Sequence, residues 1–326
     1  MNNVIKILAI TCVLGLIIGC SMQTEEQKMI DINTTISGEN QVIDNVISID
    51  SREEQNLELN GEVLTDSMSG ENAEITEVLD DDIDVEVIPV SNANLSNTTY
   101  AWGFRRMKDN VQPEFTASYT KVLDEYEGIY VGNKEDKNIY LTFDEGYENG
   151  YTGAILDTLK EKQVTAVFFV TMPYVKQNPD LIRRMIDEGH IVGNHTVNHP
   201  SMPSVTDDVK LEEEITKLHE YVKENFGGYE MTYLRPPKGE YSERTVKISK
   251  DLGYKTVLWS SAYDDWDTTK QDRLDYARKM IYNYTHNGCV MLLHAVSKDN
   301  TALLGEVIDT LRNEGYEFKS LDEFKY

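Results

Sequence analysis

From residue 139 to its C-terminus the sequence predicts an α/β fold with a largely parallel sheet. Short apolar runs alternate with longer amphipathic stretches over about 190 residues, the pattern of parallel strands joined by crossover helices. A second observation gives that sheet a functional end. Acidic, imidazole or guanidinium side chains stand just after five of the runs, and the C-terminal ends of parallel strands place such groups on one rim.

The runs are 139–143, 165–170, 191–193, 232–234, 255–259 and 289–293. They are short and mostly apolar, as strands covered on both faces are. Between them the spacing predicts helices over 152–162, 180–188, 207–226, 242–252, 270–286 and 301–314, each with apolar residues at helical intervals among charged ones. Asp144 and Glu145 follow the first run, and Asn194, His195 and His199 the third. Arg235 follows the fourth, Asp265 and Trp266 come shortly after the fifth, and His294 ends the sixth.

Upstream of this region the chain has a different character. All 326 residues together carry a net charge of −26, which excludes nucleic acid as a partner, since phosphate binding needs a basic stripe. The segment 21–100 holds 19 Asp and Glu against Lys28 and Arg52, a net of −17, whereas 101–326 holds 28 basic and 38 acidic residues, a net of −10. No aromatic residue occurs in 21–99, and Asp80, Asp81, Asp82, Asp84 and Glu86 form a charge run. Such a segment buries too little apolar surface to offset its ordering entropy, so residues 21–99 are expected to be a disordered, acidic tether rather than a small domain.

The first 20 residues set the compartment: Lys6, an apolar run over 7–18, then Gly19 and Cys20. The run suits a signal peptide better than a membrane span. Ile17-Ile18-Gly19-Cys20 resembles a bacterial lipobox, which implies a lipidated Cys20 as the mature N-terminus. An uncleaved anchor is the competing reading; either puts the folded part outside the cytoplasmic membrane. Cys12 leaves with the signal and Cys20 carries lipid, so Cys289 has no partner and no disulfide framework is possible. Cys289, in Cys-Val-Met-Leu-Leu, reads as core.

His195 and His199 are four apart; on a helical turn both rings would leave one face and could share a metal ion. A carboxylate from the Asp144-Glu145 pair would complete two nitrogens and one oxygen, with positions open for water, as in catalytic zinc sites. Adjacent carboxylates can divide the labour, one on the metal and the other accepting a proton. The remaining histidines read as structural: His190 and His286 at helix ends, His219 on a helix surface.

These residues resemble the polysaccharide deacetylases of carbohydrate esterase family 4, whose shared unit is the NodB homology domain. Thr142-Phe143-Asp144-Glu145-Gly146, His195-Thr196-Val197-Asn198-His199, Arg235-Pro236-Pro237, Asp265-Trp266 and Leu292-Leu293-His294 look like its five motifs, in family order. The resemblance implies a distorted, incomplete (β/α) barrel. It makes 100–326 the deacetylase domain, with a core over 139–326. It implies Asp144 as general base, His294 as general acid, Glu145, His195 and His199 as ligands of a divalent metal, most often Zn²⁺, and Arg235 and Asp265 as partners of Asp144 and His294. Trp266 and Leu292 would wall the acetyl pocket, the Lys238 backbone N–H would help hold the oxyanion, and Tyr147 would line the sugar groove. The family pattern has Asp where this chain has Glu145, so a longer arm would reach the metal.

A narrower resemblance, to the delta-lactam-biosynthetic de-N-acetylases, rests on Gly146-Tyr147-Glu148-Asn149-Gly150-Tyr151-Thr152, Arg235-Pro236-Pro237-Lys238-Gly239, the stretch from His294 to Asn300, and Trp102-Gly103-Phe104-Arg105-Arg106. It implies N-deacetylation of N-acetylmuramic acid in peptidoglycan whose stem peptide has been removed, leading to muramic-δ-lactam of spore cortex. The alternatives are an N-acetylglucosamine deacetylase of peptidoglycan or another surface polymer, and a non-catalytic wall-binding lipoprotein. An acidic domain on an anionic polymer needs a local basic groove, for which Arg105, Arg106, Lys108 and Lys238 are candidates.

Overall fold

In a computed structural model of the chain, residues 94–326 are described; the expected signal peptide and nearly all of the expected acidic tether lie outside the described residues. In chain order the strands and helices are β1 (Tyr100–Ala101), β2 (Phe104–Arg105), β3 (Glu114–Phe115), α1 (Ala117–Glu125), β4 (Asn138–Glu145), α2 (Thr152–Lys162) and β5 (Val167–Val170). Then follow α3 (Met172–Gln177), α4 (Pro179–Asp187), β6 (Ile191–Asn194), α5 (Asp208–Asn225), β7 (Tyr233–Leu234) and β8 (Glu240–Tyr241). The last are α6 (Glu243–Asp251), β9 (Lys255–Thr256), α7 (Leu274–Tyr284), β10 (Cys289–His294), α8 (Lys298–Asn313) and β11 (Glu317–Phe318).

All six apolar runs become strands of one parallel sheet in the order β10-β4-β5-β6-β7-β9, with β11 also beside β4. The sheet curls until its ends approach, and the gap is spanned by a few backbone contacts: Ser260 N–H donates to Val290 O, and Leu292 N–H to Ser261 O, both at 2.9 Å. This is the distorted, incomplete (β/α) barrel that the motifs imply. Side chains alternate across it with period two. Ile139, Leu141, Phe143, Phe168, Val192, Leu234 and Met291 face the helices, while Tyr140, Val167, Phe169, Ile191, Tyr233 and Val290 fill the interior.

The predicted helices form with shifted ends where local chemistry decides. Asp207 caps α5, accepting from Lys210 N–H at 3.1 Å, and Ser242 caps α6 in a capping box with Thr245. The helix expected from residue 270 starts only at Leu274, because Asp272 is left-handed, with φ 60°, and Arg273 is not helical either. Conversely, α8 starts at Lys298 rather than at 301, capped by the Ser297 hydroxyl. Cys289 is buried as expected, and His190 and His286, expected at helix ends, are buried too. His219 is more than a surface group, since its ring bridges the Tyr254 hydroxyl and the Glu230 carboxylate.

The N-terminal extension is part of the barrel's architecture. β1 pairs antiparallel with β8. Trp102 is buried against Phe104, Phe115, Tyr130 and Tyr241, its indole N–H donating to Trp259 O at 2.8 Å and its backbone N–H to Gly239 O at 2.9 Å. Residues just before 100 also touch the barrel: Asn97 bonds Pro203 O and Ser242 Oγ, and Ser96 O accepts from Arg244 N–H. Among the described residues no helix is long and apolar enough to cross a membrane.

Candidate active site

The inward row of each strand ends in a polar residue, and these meet at the C-terminal rim. On β4 the inner positions are Tyr140, Thr142 and Asp144; His195 follows β6, Arg235 follows β7, and His294 closes β10. They border a cavity of about 680 Å³ lined by Asp144, His195, His199, Lys238, Leu292 and His294, with Tyr147, Trp259, Tyr263 and Trp266 among its walls. Of the site residues expected from the motifs, Asp144, His195, His199, Lys238, Leu292, His294, Trp266 and Tyr147 line it, and Glu145 does not. Arg235 and Asp265 lie one layer behind.

Arg235 is fully buried and anchors the constellation. One arm donates to Asp144 Oδ1 at 2.7 Å, the other to Thr142 Oγ1 at 2.9 Å, and Nε donates to Val257 O at 3.2 Å. Its plane covers the Phe169 ring at 4.2 Å. Burial pushes the Asp144 carboxyl up, but the charge of Arg235, with smaller help from His195 and His294, overcomes this and holds it below the usual range. Asp144 is therefore a carboxylate at neutral pH.

Across the cavity, His294 is held twice by the buried Asp265: its Nδ1–H donates to Oδ1 and its backbone N–H to Oδ2, each at 2.8 Å. Nε2 is thus left to face the cavity. Burial lowers the affinity of His294 for its proton, yet Asp265 more than compensates and the pKa is raised. Asn300 supports Asp265 from α8 and also donates to His294 O at 3.2 Å. Thr142 and Asn300 stand in the quoted motifs, but their hydrogen bonds to Arg235 and Asp265 were not expected from them. Thr142 could have been found from the strand's period, two residues before Asp144; nothing in the sequence places Asn300 beside Asp265.

The two motif histidines meet, though not as expected. Residues 195–201 are not helical, and Thr196 and His199 have φ of 70° and 56°. A tight turn, closed by His199 N–H donating to Thr196 Oγ1 at 3.0 Å, brings the rings to a centroid separation of 4.8 Å. The His195 Nδ1 stands 2.7 Å from Arg235 O; a carbonyl can only accept, so Nδ1 carries the hydrogen and Nε2 keeps its lone pair. Nε2 lies 3.6 Å from Asp144 Oδ2. Burial lowers the pKa of His195 to about 4 and also holds that of His199 below its usual value, so both rings are neutral donors.

That donor pair fits a divalent ion, which needs neutral imidazole nitrogens with free lone pairs. The carboxylate expected to join it does not. Glu145 is an odd-numbered residue of β4, so the strand's period turns it to the helix side with Ile139, Leu141 and Phe143, and it does not line the cavity. Both its oxygens are buried without a hydrogen-bond partner. Burial first, then the charges of Glu148 and Asp144, hold its carboxyl well above the usual range. Among the described residues no three His, Cys, Asp or Glu side chains are gathered closely enough to hold an ion. The extra methylene of Glu145 is spent on the wrong face of the sheet.

The basic groove is also smaller than expected. Arg105 pairs with Glu114 on the β2–β3 ribbon, and Arg106 donates to Ala262 O while covering the Tyr284 ring. Of the four candidates only Lys238 lines the cavity.

Residues 131–257 match the family profile described as polysaccharide deacetylase. The peptidoglycan-N-acetylmuramic acid deacetylase PdaA of Bacillus subtilis is 43% identical over 230 residues, covering 71% of this chain and 87% of the relative. The solved structure of that relative, a family 4 carbohydrate esterase, superposes with a TM-score of 0.68 at 42% identity, covering 71% of this chain and 98% of that one. A family 4 carbohydrate esterase from Bacillus anthracis is 46% identical, with a TM-score of 0.59 over 71% of this chain and 97% of that one. With its five motifs gathered on one rim of the same curled barrel, this chain belongs to the polysaccharide deacetylases of carbohydrate esterase family 4.

Proposed function

We propose that this chain is a metal-dependent deacetylase that removes the N-acetyl group of N-acetylmuramic acid in peptidoglycan, and that lipidation at Cys20 holds it on the extracytoplasmic face of the cell membrane. The observation that carries the chemistry is the pair of oppositely tuned groups across one cavity: Asp144 kept ionised by Arg235, and His294 kept protonatable by Asp265. Such a pair divides base from acid in one site. The similarity to PdaA supports the substrate.

His195 and His199 would hold the ion, with Zn²⁺ the metal that two imidazoles suit. When bound, it supplies Lewis acidity toward the acetyl oxygen and makes water more acidic. Asp144 accepts the proton of the attacking water, and Arg235 stabilises its charge before and after. Leu292 and the aromatic walls keep bulk water from the acetyl methyl. Electrons build on the acetyl oxygen, beside the Lys238 backbone, where an N–H donor is worth a few kcal/mol. The amine leaves only as it is protonated; His294 Nε2 delivers that proton and Asp265 stabilises the imidazolium until it does. The acetate and the amine then separate.

Peptide-free glycan strands incubated with the full-length protein test this. Deacetylated muramic acid, free or closed into its lactam, should appear by mass spectrometry, and Asp144→Asn should slow it by about 10²–10⁴-fold. Release of acetate only from glucosamine residues would refute the assignment.

A further inference from the structure

Lys238 occupies a backbone position that suits glycine. Its φ is 61° and ψ 5°, left-handed values that disfavour any residue with a Cβ by about 1–2 kcal/mol. The next residue, Gly239, is also left-handed, and a Cβ there would come within 2.8 Å of the Trp259 ring and 3.0 Å of Trp102. The turn is locked from several sides. Gly239 N–H donates to Pro236 O at 3.0 Å and Gly239 O accepts from Trp102 N–H, while β1 pairs with β8 just beyond. A lysine kept where glycine would relax the chain points to a use for its side chain.

Lys238 borders the cavity, is the only Lys or Arg among its lining residues, and is exposed. Lys238 takes part in none of the ion pairs formed among the described residues, whereas the one acid of the lining, Asp144, is already met by Arg235. In a protein of net charge −26, the mouth of the site therefore offers an uncompensated ammonium. Lys238 shares the cavity lining with His195 and His199.

We infer that the Lys238 ammonium is a specificity-determining group that binds the lactyl carboxylate at O3 of the muramic acid being deacetylated. This rests on the proposed substrate and deepens it. N-acetylmuramic acid differs from N-acetylglucosamine by the lactyl ether on the carbon next to the one bearing the acetamido group, so a carboxylate in the bound sugar lies a few bonds from the scissile amide. The carboxylate is free only when no peptide is attached to it. A single mobile cation, held at its root by a rigid turn, would therefore select both the sugar and its peptide-free state. A neutral sugar would leave it unpaired.

The test is a double cycle on the full-length protein. One substrate is a peptide-free glycan strand; the other is the same strand with its lactyl carboxyls converted to methylamides, which removes the charge and keeps the sugar. Lys238→Met keeps the stem and the Cβ, so the turn is under the same strain, and its thermal midpoint should match the wild type. Wild type should prefer the free acid by about tenfold or more in kcat/KM, the size of one charge-assisted bond, mainly through KM. The methionine variant should lose that preference, turning over both strands alike, and Lys238→Arg should restore it. A preference unchanged in Lys238→Met, or an equal loss on both strands, would overturn the inference while leaving the deacetylase reading intact. Wild-type inactivity on both strands, with acetate released from glucosamine polymers, would overturn the reading and the inference with it.

Discussion

His294 and Asp265 show how a single residue's partner sets its chemistry. The carboxylate takes both Nδ1–H and the backbone N–H of His294, so it fixes the tautomer and raises the ring's pKa against burial. Asp265→Asn removes that charge, and the pKa of His294 should fall. Because the ring must be protonated to act as acid, the basic limb of the kcat/KM profile should move to lower pH, and activity at neutral pH should drop by about 10²-fold or more. A profile that keeps its basic limb in place would separate His294 from that step. Glu145 is the opposite case, a carboxyl raised by burial rather than lowered by a partner. Its folded pKa lies above its unfolded one, so it favours the folded state fully below the unfolded value. That contribution is lost as pH rises toward the folded pKa, by up to about 1.4 kcal/mol per pH unit. In metal-free protein, Glu145→Gln should flatten the fall of stability between pH 5 and 8 in denaturant titrations. It should leave divalent-ion affinity near that of the wild type by calorimetry, whereas His195→Ala should remove it.

At the scale of elements, the strands matter through their alternation. β6 brings Gly193 to the interior, where a Cβ would come within 2.6 Å of the Phe169 ring. That ring cannot yield, since the Arg235 guanidinium lies on its face at 4.2 Å. Gly193→Ala should therefore destabilise the fold by about 1–3 kcal/mol, read as a lower thermal midpoint. It should also lower kcat, because Arg235 would be pushed from Asp144. A midpoint and kcat like the wild type would show that the ring has room. The short strands β7 and β9 were legible as apolar runs. The turn that brings His199 back to His195 was not, because a spacing of four fits a helix and only the left-handed values at Thr196 and His199 close it another way.

At the scale of the molecule, three apolar clusters form among the described residues: one between sheet and helices, one inside the barrel and one under the N-terminal extension, while the imidazole pair sits at the rim. Removing divalent ions with a chelator should abolish turnover but leave far-ultraviolet circular dichroism unchanged, and adding Zn²⁺ back should restore activity. Unfolding on chelation would mean that the ion supports the core. The extension belongs to this scale as well: Trp102 and β1 lie outside the segment matched by the family profile, 131–257, yet they brace the turn that carries Lys238.

The sequence by itself determined the sheet, most of the helices and the identity of the rim residues, because burial imposes periods of two and 3.6 that can be read along the chain, and because strand ends collect chemistry. It also separated the acidic N-terminal part from the barrel by composition. Only the tertiary structure decided which face each rim residue serves. Asp144 and Glu145 are equivalent as letters, but the pleat sends one to Arg235 and the other to the helices. It decided too that one basic residue of the four candidates, Lys238, reaches the cavity, since whether a cation is free depends on neighbours far apart in sequence, such as Glu114 for Arg105 and Ala262 for Arg106.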